Sequence, residues 1–293
     1  MVLLTAHEEE KRILARKHAG QVEQRSMDWF CALTEDSISF REYSEMVMVA
    51  VYTARKFTSL RPHLIYDGKD NEFTAWLDRH GVEIIRHRSI FREELAKLGE
   101  RENNPRIEAV ISGAFLRVEL PRLAPRSGAS DIVLYTDCDV MFRGEVEAQL
   151  RQIGCEYFAV APHARNSHDD VINSGVMLMN LRNLGRTADA FFQFIVQNLD
   201  QLKKEAWDQG AYWRFYRDPT GRPLWNQLPL ELNWRPYWGD EPGAKVIHFH
   251  GPKPFQRDHI DTVWPELKPY AGGSYLQMIE VWQKLLAEAR AHS

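Results

Sequence analysis

The sequence predicts an α/β fold with a mainly parallel central sheet flanked by helices, and three observations predict it. Short β-branched and aromatic runs alternate with stretches of helical period, the pattern of consecutive right-handed βαβ units. One run, Ile132 to Thr136, ends in Asp137-Cys138-Asp139, which puts two carboxylates at the sheet edge where open α/β folds bind ligands. A later run, Lys245 to Phe249, leads into His250-Gly251-Pro252-Lys253-Pro254 and sets imidazoles, a glycine and a lysine at another strand end.

Taken in order, residues 1–25 are charged, lack glycine before Gly20 and predict an appended helix. Trp29 to Thr34 predicts the first strand, followed by a polar loop and an apolar-periodic helix from Arg41 to Lys56. Leu60 to Tyr66 predicts a second strand, Glu72 to Gly81 a helix and Val82 to His87 a third strand. Helices over Phe91 to Leu98 and Ile111 to Leu120 precede the Ile132 strand, whose start is marked by the turn-forming Ser127-Gly128-Ala129-Ser130. Tyr157 to Ala161 and Gly175 to Asn180 predict two more strands. Phe191, Phe194, Ile195, Leu199 and Leu202 form a helical stripe over 188–202, read as core packing. Residues 210–242, rich in Trp, Tyr, Pro and Arg, predict a loop-rich lobe beside a cleft, and Tyr275 opens a terminal helix. The organisation expected is an N-terminal helical extension (1–25), one α/β domain (26–256) and a C-terminal helical tail (257–293).

Composition excludes several classes. A chain of 293 residues can bury a large core, and 44% hydrophobic with 27% charged residues is ordinary for a soluble globular protein. A net charge of -4 provides no general basic field, so nucleic acid is not an expected partner. Cys31, Cys138 and Cys155 have no paired spacing, which gives neither a disulfide framework nor a zinc site and fits a reducing, cytoplasmic setting. Met1 to Ala6 is too short for a signal-peptide core, and no run approaches the length of a membrane span. Peripheral membrane contact and homo-oligomer formation stay open.

The chemistry centres on the acidic triplet. Side chains at i and i+2 of an extended segment share a face, so Asp137 and Asp139 should project together with Cys138 turned inward. Two hard oxygen donors side by side suit a divalent cation held against a diphosphate, although a solvated strand end is the plain alternative for the triplet alone. Histidine suits manganese better than magnesium; His248 and His250 share a face, and His248 is the favoured third ligand. Gly251 would let the backbone approach a phosphate, and Lys253 would place a charge on a leaving diphosphate. Asn173-Ser174-Gly175 reads either as an ordinary turn before the Val176 strand or as a set of sugar-hydroxyl ligands. Asp208 and Gln209, within Trp207 to Gly210, read either as a helix N-cap or as a functional pair.

In order, ALTED (Ala32 to Asp36), FLRVEL (Phe115 to Leu120), YTDCD (Tyr135 to Asp139), NSGVMLMNL (Asn173 to Leu181), WDQG (Trp207 to Gly210) and HFHGPKP (His248 to Pro254) make the chain resemble glycosyltransferase family 8 over residues 28–256. That is the retaining, GT-A-fold (Rossmann-like) family of glycogenin and the bacterial lipooligosaccharide galactosyltransferases. The resemblance implies a transferase that moves a sugar from a nucleoside-diphosphate donor, usually UDP-linked, to a hydroxyl of a saccharide or glycoconjugate. It implies Mn²⁺, with Mg²⁺ as the alternative, held by Asp137, Asp139 and His248. Ala32, Leu33, Thr34 and Asp36 would line the uridine site, and Arg117 would reach the diphosphate or the donor sugar. Asn173, Asp208 and Gln209 would surround that sugar, and Gly251 with Lys253 would hold the phosphates. Retention would follow from same-face attack or from a covalent intermediate on Asp208.

Three departures stand out. A single residue, Pro252, separates Gly251 from Lys253 where the family usually has two, and Phe255 replaces a tryptophan. Thr34 and Glu35 replace the acidic pair of the galactosyltransferases. The rival readings are a sugar-phosphate nucleotidyltransferase, which would carry a glycine-rich loop where residues 34–45 have no glycine, and a non-catalytic nucleotide-sugar-binding or scaffold protein of the same fold.

Overall fold

A computed structural model of the chain describes residues 25–104, 106–165, 170–259 and 273–292. Apart from Arg25, the helix expected over residues 1–25 lies outside the described residues.

The first three strands, β1 (Asp28–Thr34), β2 (Arg61–Asp67) and β3 (Glu83–Arg86), are parallel and alternate with helices α1 (Phe40–Phe57) and α2 (Glu72–Arg79). Alternation along β1 explains the layering. Trp29, Cys31 and Leu33 face α1 and α2, while Phe30 and Ala32 face the opposite core. That second core is covered by α3 (Arg92–Arg101), α4 (Arg106–Leu123), α6 (Leu181–Leu202) and α7 (Asp208–Phe215). Asn71 caps α2 by accepting from Thr74 N, and Thr74 Oγ1 returns the bond, a reciprocal capping box.

After β3 the chain crosses back to the far side of β1 and forms β4 (Ile132–Thr136) parallel to it. The strand order therefore reverses between β1 and β4, and a crevice opens at their carboxyl ends. Beyond β4 the sheet changes character. β7 (Ile172–Asn180) runs antiparallel between β4 and β6 (Phe158–Pro162), and the two-residue β8 (Asn226–Gln227) closes the order β3-β2-β1-β4-β7-β6-β8. The mainly parallel sheet expected from sequence is present, with one antiparallel strand, β7, in its interior.

A second, two-stranded sheet pairs β5 (Val140–Phe142) with β9 (Val246–His248). The four-residue α5 (Glu147–Leu150) follows β5. The C-terminal helix α8 (Ser274–Ala291), expected from Tyr275, lays Tyr275, Ile279 and Trp282 against Met46 and Val49 of α1 and Met141 and Ile247 of the small sheet. Among the described residues no helix is long and apolar enough to cross a membrane.

Three sequence expectations are corrected. β7 begins at Ile172, so Asn173, Ser174 and Gly175 lie inside a buried strand and not in a turn. Helix α4 starts at Arg106, earlier than Ile111; among its first five residues only Ile107 is buried, which leaves no apolar stripe to mark them in the sequence. The lobe over 210–242 opens with most of α7 before becoming irregular.

Candidate active site

The pairing of β5 with β9 assembles the site. It places Val140 opposite His248, while Phe249 N donates to Asp139 O at 2.9 Å. Asp137 N donates to Gly175 O at 2.8 Å, which pins the start of the acidic triplet to β7. Gly175 is needed here for space: a Cβ at that position would stand 2.1 Å from His248 Cε1. The imidazole thus lies directly on the backbone of β7.

Asp137, Asp139 and His248 converge. His248 Nε2 lies 3.3 Å from Asp139 Oδ1 and 3.9 Å from Asp137 Oδ2, and the three candidate ligand atoms all fall within 4.8 Å of one another. Asp139 Oδ1 is buried and has no hydrogen-bond partner. A charge-assisted hydrogen bond would draw the atoms to about 2.7–2.9 Å, so the spacing suits a cation between them better than a shared proton. Two carboxylate oxygens and an imidazole nitrogen are a fitting donor set for Mn²⁺ or Mg²⁺.

The other oxygen of Asp139 pairs with Lys253 Nζ, which also donates to Phe249 O at 2.9 Å. Burial works against the charge on Asp139, yet the Lys253 ammonium holds its carboxyl well below the usual range. Burial likewise opposes the charge on Lys253, and Asp139 more than restores it. His250, close to His248, is driven down to about 2 by burial and by Arg235, so it stays neutral.

Arg117 forms the second half of the site. Its guanidinium is buried on α4, donates from Nη2 to Asp137 Oδ1 at 2.7 Å and from Nη1 to Ser174 O, and lies over the Tyr135 ring at 5.0 Å. Nε stands 2.8 Å from Asp208 Oδ2, but that oxygen receives no hydrogen bond, so the contact is ionic. Burial pushes the Asp208 carboxyl up to about 6 against the pull of Arg117. Asp208 reaches Arg117 through a strained turn, Ala206 and Trp207 having φ of 58° and 56°. Gly210 closes that turn, since a Cβ there would meet Glu205 O at 2.3 Å. Trp207 occupies the cap position of α7, so Asp208 does not serve as the N-cap.

The expected residues separate into groups. Ala32, Leu33, Thr34, Arg117, Asp137, Asp139 and Lys253 line one cavity of about 240 Å³, joined by Tyr43, Tyr135 and Cys138. Cys138 packs partly against the core, as expected, and also borders this cavity: the chain leaves the extended conformation after Thr136, and strict alternation ends there. Gly113 lets α4 approach this crevice, because a Cβ would stand 3.0 Å from Thr34 Cγ2. Asp36 is tied instead to Arg92, which also holds Asp67 and Glu108, each at 3.0 Å. Gly251 adopts φ 85°, a conformation that favours glycine, and lets the short loop return Lys253 to the site.

Asn173 is buried behind His248, and Gln209 lines a neighbouring cavity of about 400 Å³ with Trp213. Sequence reasoning missed Asn233. Its side chain is buried between His248 and Asn173, yet it follows Leu230-Glu231-Leu232 with no motif to mark it.

Solved structures share this architecture. The galactosyltransferase LgtC, in complex with donor and acceptor sugar analogs, superposes with a TM-score of 0.57 at 20% identity over 84% of this chain and 95% of that one. The fold is GT-A. The glycosyltransferase GlyE of Streptococcus pneumoniae TIGR4 matches at TM-score 0.54 and 17% identity over 91% of this chain and 64% of its own. Mouse xyloside xylosyltransferase 1 gives 0.53 and 14%, over 77% and 98%. No protein-family model matches the chain, and no curated protein matches it.

Proposed function

We propose that this GT-A chain is a metal-dependent retaining glycosyltransferase of the family 8 type, moving a sugar from a UDP-linked donor to a hydroxyl of a saccharide or glycoconjugate. The observation that carries the proposal is the convergence of Asp137, Asp139 and His248 around a buried carboxylate oxygen without a hydrogen-bond partner, at the crevice where the strand order reverses. The likeness to solved glycosyltransferases supports the same reading.

Asp137, Asp139 and His248 would hold Mn²⁺ or Mg²⁺, which when bound supplies charge stabilisation to a departing diphosphate. Ala32, Leu33 and Thr34, at the end of β1 and in the same cavity, suit the nucleoside. The buried Arg117 and the partly exposed Lys253 bring two positive charges to the side of the cavity facing Asp137 and Asp139, where a diphosphate would lie. Lys253 is pre-aimed by Asp139 and Phe249 O, so little reorganisation is needed on binding.

By the family resemblance Asp208 and Gln209 would lie beside the donor sugar, with Gln209 reaching it from the neighbouring cavity of about 400 Å³. With its side chain only 7% exposed and engaged by Arg117, Asp208 is poorly placed to attack an anomeric carbon, which favours same-face attack over a covalent intermediate. In that role Asp208 balances Arg117 and carries no bond to the sugar. The test is a panel of nucleotide-sugars incubated with and without Mn²⁺. Release of the nucleotide from a UDP-sugar only with the metal supports the proposal, and no turnover or metal-independent turnover of every donor contradicts it.

A further inference from the structure

We propose that Asn233 is a positioning residue that fixes His248 in the tautomer with Nδ1 protonated and Nε2 free for a cation, and that the hydrogen-bond chain it joins also decides which end of the Gln209 amide meets a ligand. The inference rests on the reading of Asp137, Asp139 and His248 as a cation site.

Two backbone N–H groups, which can only donate, set the polarity of the chain. Gly175 N donates to Asn173 Oδ1 at 3.3 Å, and Ser174 N donates to Gln209 Oε1 at 3.2 Å. The Asn233 atom 2.9 Å from Asn173 Oδ1 must then be its Nδ2. Asn233 consequently turns Oδ1 toward His248, 2.8 Å from Nδ1, and an amide oxygen there can only accept. The hydrogen is on Nδ1, so a neutral ring would turn its Nε2 lone pair toward Asp139 Oδ1 and Asp137 Oδ2. Asn233 and His248 are each 1% exposed, so no solvent offers Nδ1 another partner.

The far end carries a second consequence. Gln209 Oε1 accepts from Ser174 N and, at 3.4 Å, from Asn173 Nδ2. Its oxygen is occupied, and the NH₂ is the end left for the cavity that Gln209 shares with Trp213. Gln209 therefore meets a ligand as a donor to an oxygen lone pair, such as that of a sugar hydroxyl or ring oxygen.

Long-range ¹H–¹⁵N correlation of the imidazoles in the full chain at pH 8 with chelator present, with His248 assigned by its loss in His248→Gln, reads the tautomer directly. A signal with Nδ1 protonated is expected, and the Nε2-protonated pattern overturns the proposal. Asn233→Leu, checked for folding by its melting curve, should show a mixture of tautomers and a Mn²⁺ dissociation constant raised by about 10–100-fold. Asn233→Asp, which still accepts from Nδ1, should keep the tautomer and stay within about threefold of wild-type affinity. Wild-type Mn²⁺ affinity in a folded Asn233→Leu protein overturns the role; if that variant does not fold, the wild-type tautomer and the Asp variant decide. Failure of the wild type to bind Mn²⁺ counts against the cation site instead, and the tautomer measurement still judges Asn233.

Discussion

At the amino edge of the central sheet, His63 sits between Asp28 and Glu83; at the carboxyl edge, His248 sits between Asp137 and Asp139. Both imidazoles are buried and both face carboxylates, but the carboxylates are treated differently. Asp28 is fully satisfied: Oδ1 takes His63 Nε2 at 2.8 Å and Arg61, and Oδ2 accepts from Ser130 N at 3.0 Å and Ser130 Oγ at 3.2 Å. Asp139 has one oxygen on Lys253 and one buried oxygen with no hydrogen-bond partner. Buried polar groups are normally paired. In the first cluster the carboxylate is, its one unpartnered atom being His63 Nδ1, 3.3 Å from the exposed Glu83, and it explains itself as structure; the second, with an unpartnered carboxylate oxygen and three ligand atoms within 4.8 Å of one another, calls for a ligand. The same residue types become a staple or a site according to how many donors the backbone sends them.

The sharpest way to break this contrast is to neutralise one carboxylate at each edge. Asp139→Asn should lower Mn²⁺-dependent release of nucleotide from a UDP-sugar by at least about 100-fold, measured at saturating metal. Asp28→Ala should destabilise the fold by about 3 kcal/mol in denaturant unfolding, because Arg61, His63 and Ser130 lose a buried acceptor. Its Mn²⁺ affinity should stay within about twofold of wild type, as expected for distant sites. A large loss of metal affinity from Asp28→Ala would mean that the two clusters are not separate in role.

Gly175→Ala tests the packing that presents His248. The added Cβ would overlap the imidazole, so Mn²⁺ affinity measured by titration calorimetry should fall about tenfold. Unchanged affinity would show that the ring can move without cost.

The smallest expected effect is on pH dependence. The folded carboxyl of Asp208 is pushed up to about 6 from an ordinary 3.8, so the unfolded chain loses this proton first as pH rises. Asp208 should therefore erode stability between those values and contribute no further slope above them. Asp28 has the opposite sign: His63 and Ser130 outweigh its burial and hold its carboxyl below the ordinary value, so its contribution is present above that value and is lost as pH falls through the lowered one. Melting curves of metal-free wild type and Asp208→Asn from pH 4 to 7 should diverge on the acid side and run parallel above about pH 6. Parallel curves throughout would contradict the assignment.

Much of this was legible in the chain, unevenly. The β1–β3 half was readable because each strand is a short β-branched or aromatic run and each helix a clean apolar stripe, with boundaries missed by a residue or two. β5 was not legible, since three residues carry no period and Val140-Met141-Phe142 becomes a strand only through its pairing with β9. That pairing delivers His248 to Asp139, so the sequence could nominate the histidine but not show how it arrives. Asn173 looked like part of a turn because Asn, Ser and Gly favour turns, and tertiary pairing with β6 overrides that preference. Asn233 had no local signal at all, because its role is set by partners distant in the sequence.

The central claim is a cation held by Asp137, Asp139 and His248. Crystals grown with Mn²⁺ and measured at a wavelength where manganese scatters anomalously test it most directly. An anomalous peak bonded to His248 Nε2 and to an oxygen from each aspartate is the predicted result. A peak bound elsewhere, or none at saturating Mn²⁺, would contradict it.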